Sequence, residues 1–129
     1  EYSLENMVHI VGGVLQTEIP IWLNKADIFI NTSNVDTAPR SVLEAMANGL
    51  CVVSTNIGGL PYLIEDGKSG LLVPSNNHHA IVNAINQILT NPNFAAQLSE
   101  NAHHEAAKHD WARVLPLWES LFIEVWRKT

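Results

Sequence analysis

Short apolar runs alternate with stretches of helical periodicity along this chain, and that alternation restricts the fold more than any other feature. The runs are Val8 to Val11, Asp27 to Asn31, Leu50 to Ser54 and Gly70 to Val73. Each is short enough for a buried strand, and the intervening patterns are long enough to carry the chain back across a sheet, so βα units around a mostly parallel sheet are predicted. Between the first two runs, Glu18 to Lys25 reads as a short helix. Between the second and third, Pro39 to Asn48 reads as a helix that opens on proline and stops at Gly49.

After the fourth run the pattern changes, because three helices are predicted with no strand between them. Ala80, Ile81, Ala84, Ile85, Ile88 and Leu89 form one face, and Phe94, Leu98, Ala102 and Ala106 form another, entered at Asn91-Pro92. The last pattern runs from Trp111 through Trp118 to Trp126, with Pro116 predicted to kink or restart it. Its rings are expected in a core or against another domain, with some exposed. At 129 residues, 47% hydrophobic and 16% charged, the chain suits one α/β domain.

Seven basic residues face thirteen acidic ones, a formal charge of -6, so DNA and RNA are not expected partners. The single cysteine, Cys51, lies in an apolar run and has no internal disulfide partner. No apolar run approaches the roughly 18 residues of a membrane span. A cytoplasmic location is therefore predicted, with peripheral membrane attachment allowed for a longer parent. His103, His104 and His109 are not spaced three or four apart and His78-His79 are adjacent, so no metal site is predicted from them.

The segment Asn31 to Ala47 carries the chemistry. A polar loop leaves the carboxyl end of a predicted strand and enters a helix at Pro39, the place where ligands bind in open α/β sheets. The first helical turn offers unpaired N–H groups from about Arg40, Ser41 and Val42 and the positive end of the helix dipole, which suit a phosphate. Two acids flank that position, Asp36 in the loop and Glu44 seven residues inside. Carboxylates would repel phosphate, but they accept hydrogen bonds from the vicinal hydroxyls of a ribose or sugar. A sugar nucleotide satisfies both features. Gly58-Gly59 reads either as a turn pair needing positive φ or as a loop lining the same pocket. No Gly-x-Gly-x-x-Gly fingerprint follows any predicted strand, which argues against a dinucleotide binder.

The acid-x7-acid spacing resembles the motif of the glycosyl transferases group 1 family, retaining enzymes of the GT-B fold. The resemblance extends along the chain through Val8-His9-Ile10-Val11-Gly12, Glu18-Ile19-Pro20, Ala26-Asp27-Ile28-Phe29, Leu43-Glu44-Ala45-Met46-Ala47-Asn48-Gly49, Val52-Val53-Ser54-Thr55, Gly58-Gly59-Leu60-Pro61, Glu65-Asp66-Gly67 and Gly70-Leu71-Leu72-Val73-Pro74. It implies an incomplete Rossmann-like sheet, the second half of a GT-B C-terminal domain, followed by helices. Residues 1–129 would then be a partial nucleotide-sugar-binding domain.

The resemblance also implies roles. Glu44 would bind the ribose diol of the donor and Asp36, standing where glutamate is commoner, would face the transferred sugar as the catalytic acid. The amides of Thr37, Ala38, Arg40, Ser41 and Val42 would cradle the diphosphate, and Gly58 and Gly59 would line the donor pocket. The implied reaction is hexosyl transfer from a nucleotide-diphosphate sugar to an acceptor hydroxyl with retention, needing neither cofactor nor metal. The alternative is a non-catalytic nucleotide-sugar-binding module of the same fold.

In the family a glycine-rich basic loop and an acceptor-binding N-terminal domain complete the cleft, and neither matches here. The isolated chain is therefore expected to bind donor weakly and to lack transfer activity. With the family's strand order, two absent strands would lie between Val8–Val11 and Asp27–Asn31. That leaves the second run at an edge and predicts a rearranged first strand or a homodimer through the exposed edge or the C-terminal helix.

Overall fold

The computed structural model describes residues 4–128. Its sheet has three parallel strands in the order β1 (Ile28–Asn31), β2 (Cys51–Thr55), β3 (Leu71–Val73). Ile28 pairs with Cys51 and Val53 with Leu71. The central strand is buried along its whole length. That is why Cys51-Val52-Val53 is an unbroken apolar run rather than an alternating one.

Successive side chains of β2 point to opposite faces, and each face has its own core. Val52 packs with Val42, Met46, Leu50, Leu60 and Ile64, beneath α2 (Arg40–Ala47) and α3 (Leu60–Leu63). Cys51 and Val53 pack with Leu71, Val73, Ala84, Ile88 and Leu98, beneath α4 (His78–Thr90) and α5 (Pro92–Ala106). The α5 helix joins the two, with Leu98 in one core and Ala102 in the other. Ahead of β1, a 3-10 turn at Gln16–Glu18 leads into α1 (Ile19–Leu23), shorter than the predicted Glu18 to Lys25.

The end of α2 is where its sequence places it. Gly49 adopts φ +74°, Leu50 N donates to Ala45 O at 3.1 Å and Gly49 N to Met46 O at 3.0 Å. This paired closure satisfies the last carbonyls and drops the chain directly into β2.

Three expectations are corrected. Val8 to Val11 forms no strand and is exposed. A strand exists only with a neighbour to share its ladder, and β1 presents a free edge that this segment does not take. Leu60–Leu63, where no element is predicted, is a short helix with Pro61 in its first turn. The final helix, α6 (Trp111–Arg127), continues past Pro116 rather than restarting there, and none of its residues is buried. Its tryptophans are not in either core.

Candidate functional site

The carboxyl ends of β1 and β2 carry the two loops that build the site. A chain of polar contacts ties them together: Asn31 Nδ2 donates to Ser54 Oγ at 3.1 Å, Ser33 Oγ to Asn31 Oδ1 at 2.8 Å, and Thr55 Oγ1 to the Ser33 carbonyl at 2.6 Å. Ser54 and Thr55 are buried polar residues on an otherwise apolar strand. The Ser54 hydroxyl is satisfied by Asn31 at the end of β1 and by the Thr55 carbonyl, and the Thr55 hydroxyl by the loop, so the strand itself dictates where that loop starts.

The second loop presses on the first through its glycines. A Cβ on Gly58 would overlap the Asp36 carbonyl oxygen, and one on Gly59 would overlap the Thr37 carbonyl oxygen. Gly58 has φ +52° while Gly59, at φ -86°, is in an ordinary helical conformation. Only the first is a positive-φ turn glycine; the second is there because nothing larger fits. Backbone packed on backbone in this way fixes the height of Asp36 and Thr37 above the sheet.

Pro39 caps α2 with φ -67° and ψ 116°, and no side chain closes the helix start. Among the described residues, the amides of Thr37, Ala38, Arg40 and Ser41 have no acceptor. The Val42 amide, expected to be unpaired, donates to the Pro39 carbonyl at 3.1 Å, and its side chain is fully buried. The carbonyl of a helix cap points forward along the helix, and that of Pro39 accepts from Val42 and, at 3.4 Å, from Leu43. The Val42 amide is therefore already engaged at the helix start, and its side chain belongs to the core.

Glu44 lies one turn further in and is not directed into bulk solvent. Its side chain is 26% exposed, and Oε1 accepts from Arg40 Nε at 2.8 Å. The pair separates two hollows. One, of about 770 Å³, is walled by Leu43, Ala47, His103, Ala106 and Trp111; the other, of about 200 Å³, by Gln16, Ile19, Pro20, Leu23 and Asn48. His103 is held on its wall by Nδ1 against the Ala47 carbonyl at 2.8 Å. Asp36 is half-buried, has no hydrogen-bond or ion-pair partner for its carboxylate among the described residues, and lines neither hollow. The structure brings Arg40 to Glu44, and Gly58-Gly59 to Asp36 and Thr37, but leaves the two acids in separate surroundings.

Asn48, the next-to-last residue of the Leu43–Gly49 motif, lies beside the Glu44 hollow together with Gln16, which no motif announces and which comes from a turn that only tertiary packing brings near α2. Among the described residues no three of His, Cys, Asp and Glu converge, while the adjacent His78 and His79, expected to point apart, bring their ring centroids within 4.1 Å. No helix is long and apolar enough to cross a membrane.

The family model for glycosyl transferases group 1 matches residues 1–105. The chain belongs to that family. A D-inositol 3-phosphate glycosyltransferase from Streptomyces bingchenggensis is 27% identical over 112 residues, covering 87% of this chain and 25% of the relative. Sucrose-phosphate synthase from Thermosynechococcus elongatus superposes with a TM-score of 0.88 at 26% identity, over 98% of this chain and 32% of that one. The Anabaena protein HepE, solved in complex with UDP-glucose, gives a TM-score of 0.77 at 29% identity, over 81% of this chain and 29% of that one.

The fold is thus part of a GT-B glycosyltransferase fold, with a three-stranded parallel sheet followed by helices. This group 1 chain spans about a quarter of the curated relative's length. Among the described residues the sheet ends at β1, whose outer edge is free, and residues 4–15 add no strand to it.

Proposed function

We propose that this chain is the donor-binding part of a glycosyltransferase that moves a hexosyl group from a nucleotide-diphosphate sugar to an acceptor hydroxyl with retention of configuration. The observation that carries the reading is the start of α2, where the unpaired amides of Arg40 and Ser41 stand one turn from the half-buried carboxylate of Glu44. The complex of HepE with UDP-glucose supports a donor of this chemistry.

In this reading the diphosphate lies against the amides of Thr37, Ala38, Arg40 and Ser41, and Glu44 accepts from the ribose diol. Amides and dipole are already oriented before the glycosidic bond breaks, so charge gathering on the leaving diphosphate is met without reorganisation. Asp36, uncommitted to any protein partner, faces the transferred sugar. That free carboxylate favours an enzyme over the non-catalytic module. The acceptor is bound by an N-terminal domain outside these residues, and the reaction calls for no cofactor.

A panel of nucleotide sugars titrated against the intact protein and its Glu44→Ala variant tests the reading. Loss of hydrogen bonds to a charged group predicts affinity weaker by about 10- to 100-fold. Equal affinity in the variant rules out the assigned role. The 129-residue chain on its own is expected to bind donor weakly and to transfer nothing, and sustained turnover by it would contradict the division of labour proposed here.

A further inference from the structure

Arg40 is badly placed if its purpose is to stabilise α2. A cation in the first turn opposes the helix dipole, and a basic residue four positions before an acid is the less favourable order for such a pair. Yet its guanidinium folds forward along the helix and donates from Nε to Glu44 Oε1 at 2.8 Å. The Gln16 amide lies against the same guanidinium, and with its oxygen turned toward Arg40 it accepts from Nη1 and Nη2. The Arg40 side chain is 71% exposed, so its long stem is free to turn, whereas Glu44 is held at 26%. Both residues line both hollows.

The consequence is a carboxylate that is masked in the ligand-free chain. Glu44 unmasked would repel a diphosphate arriving at the helix start, and Glu44 permanently paired could not accept from a diol. An exposed pair four residues apart is weak enough to be exchanged. A guanidinium also matches phosphate oxygens as well as it matches a carboxylate.

We propose that Arg40 is a partner-exchanging residue for the nucleoside diphosphate. It covers Glu44 while the site is empty, and gives the carboxylate up to the ribose diol as its guanidinium swings to the diphosphate above the Arg40 and Ser41 amides. Gln16 holds the guanidinium in the resting position. This rests on the donor-binding reading of Glu44.

The test is a titration by nuclear magnetic resonance, at millimolar ligand, of the chain with UDP, GDP and ADP and with uridine, guanosine and adenosine. Arg40→Met is expected to weaken the preferred diphosphate by about tenfold or more, while leaving or improving affinity for the matching nucleoside. Arg40→Lys, which keeps the charge but loses the fork, falls between. If Arg40→Met weakens both ligands equally, the arginine merely positions Glu44; if it strengthens both, the arginine is only a plug. An unchanged diphosphate affinity in Arg40→Met, with Glu44→Gln still weakening it, sinks the exchange and spares the donor site. Failure of the unaltered chain to bind any of the six compounds sinks both.

Discussion

Thr55 Oγ1 donates to the carbonyl of Ser33 at 2.6 Å, joining the end of the central strand to the start of the acid-bearing loop. Thr55 is 2% exposed, so this donor has no water to turn to. Thr55→Val keeps the shape and removes the bond. The expected cost is about 1–3 kcal/mol, seen as a lower denaturant midpoint with an unchanged slope, together with weaker nucleotide binding as the loop loosens.

Gly59→Ala places a methyl group on the Thr37 carbonyl oxygen, and backbone on both sides must move. A loss of about 1–3 kcal/mol in unfolding free energy is expected, with donor affinity reduced in the same variant. Gly67→Ala is the control. Gly67 has φ +73° but open space where a Cβ would lie, so roughly 1–2 kcal/mol of backbone strain is expected there and no change in binding. Equal effects on binding from both variants would show that close packing against the loop is irrelevant.

The α6 helix contributes no buried side chain, and it exposes Trp111, Leu117, Trp118 and Phe122. Removing residues 111–129 is expected to shift the stability of the remaining domain by only about 0.5 kcal/mol. The intact chain is expected to associate in light scattering and the truncated chain to be monomeric, because exposed apolar surface of this kind favours association. Association that survives the truncation points instead to the free edge of β1.

Burial raises the Cys51 thiol above its ordinary range, and the nearby Asp27 carboxylate adds to the shift. The folded value then exceeds the unfolded one. The cysteine's contribution is complete below the ordinary thiol pKa of about 8.5 and is lost as pH rises through that value toward the folded one. Denaturation curves across the alkaline range should therefore fall more steeply for the unaltered protein than for Cys51→Ala. Iodoacetamide should label Cys51 slowly until the protein is unfolded.

The strand-loop-helix-strand from Ile28 to Thr55 was legible because each boundary has a local cause: an apolar run, a proline cap, a glycine with positive φ. Glu44 and Arg40 lie four apart on one helix, so their meeting is a matter of helical geometry. Val8 to Val11 misled for the opposite reason. Its β-forming residues describe a willingness to pair, and pairing depends on a neighbour that the segment itself does not supply. Val42 misled because an amide's availability depends on where the Pro39 carbonyl points, a dihedral that residue type leaves open.

Local sequence alone determined the strand-loop-helix-strand order from β1 to β2, the place of the acid-bearing loop and the family, since periodicity, caps and motif spacing act over a few residues. Tertiary structure decided which amides remain free, that Gly59 is required by proximity rather than by its own φ, and that Gln16 reaches Arg40. These depend on segments some twenty residues apart being pressed together. The force that presses them, burial of two apolar faces on either side of β2, is non-directional and shared by the whole domain.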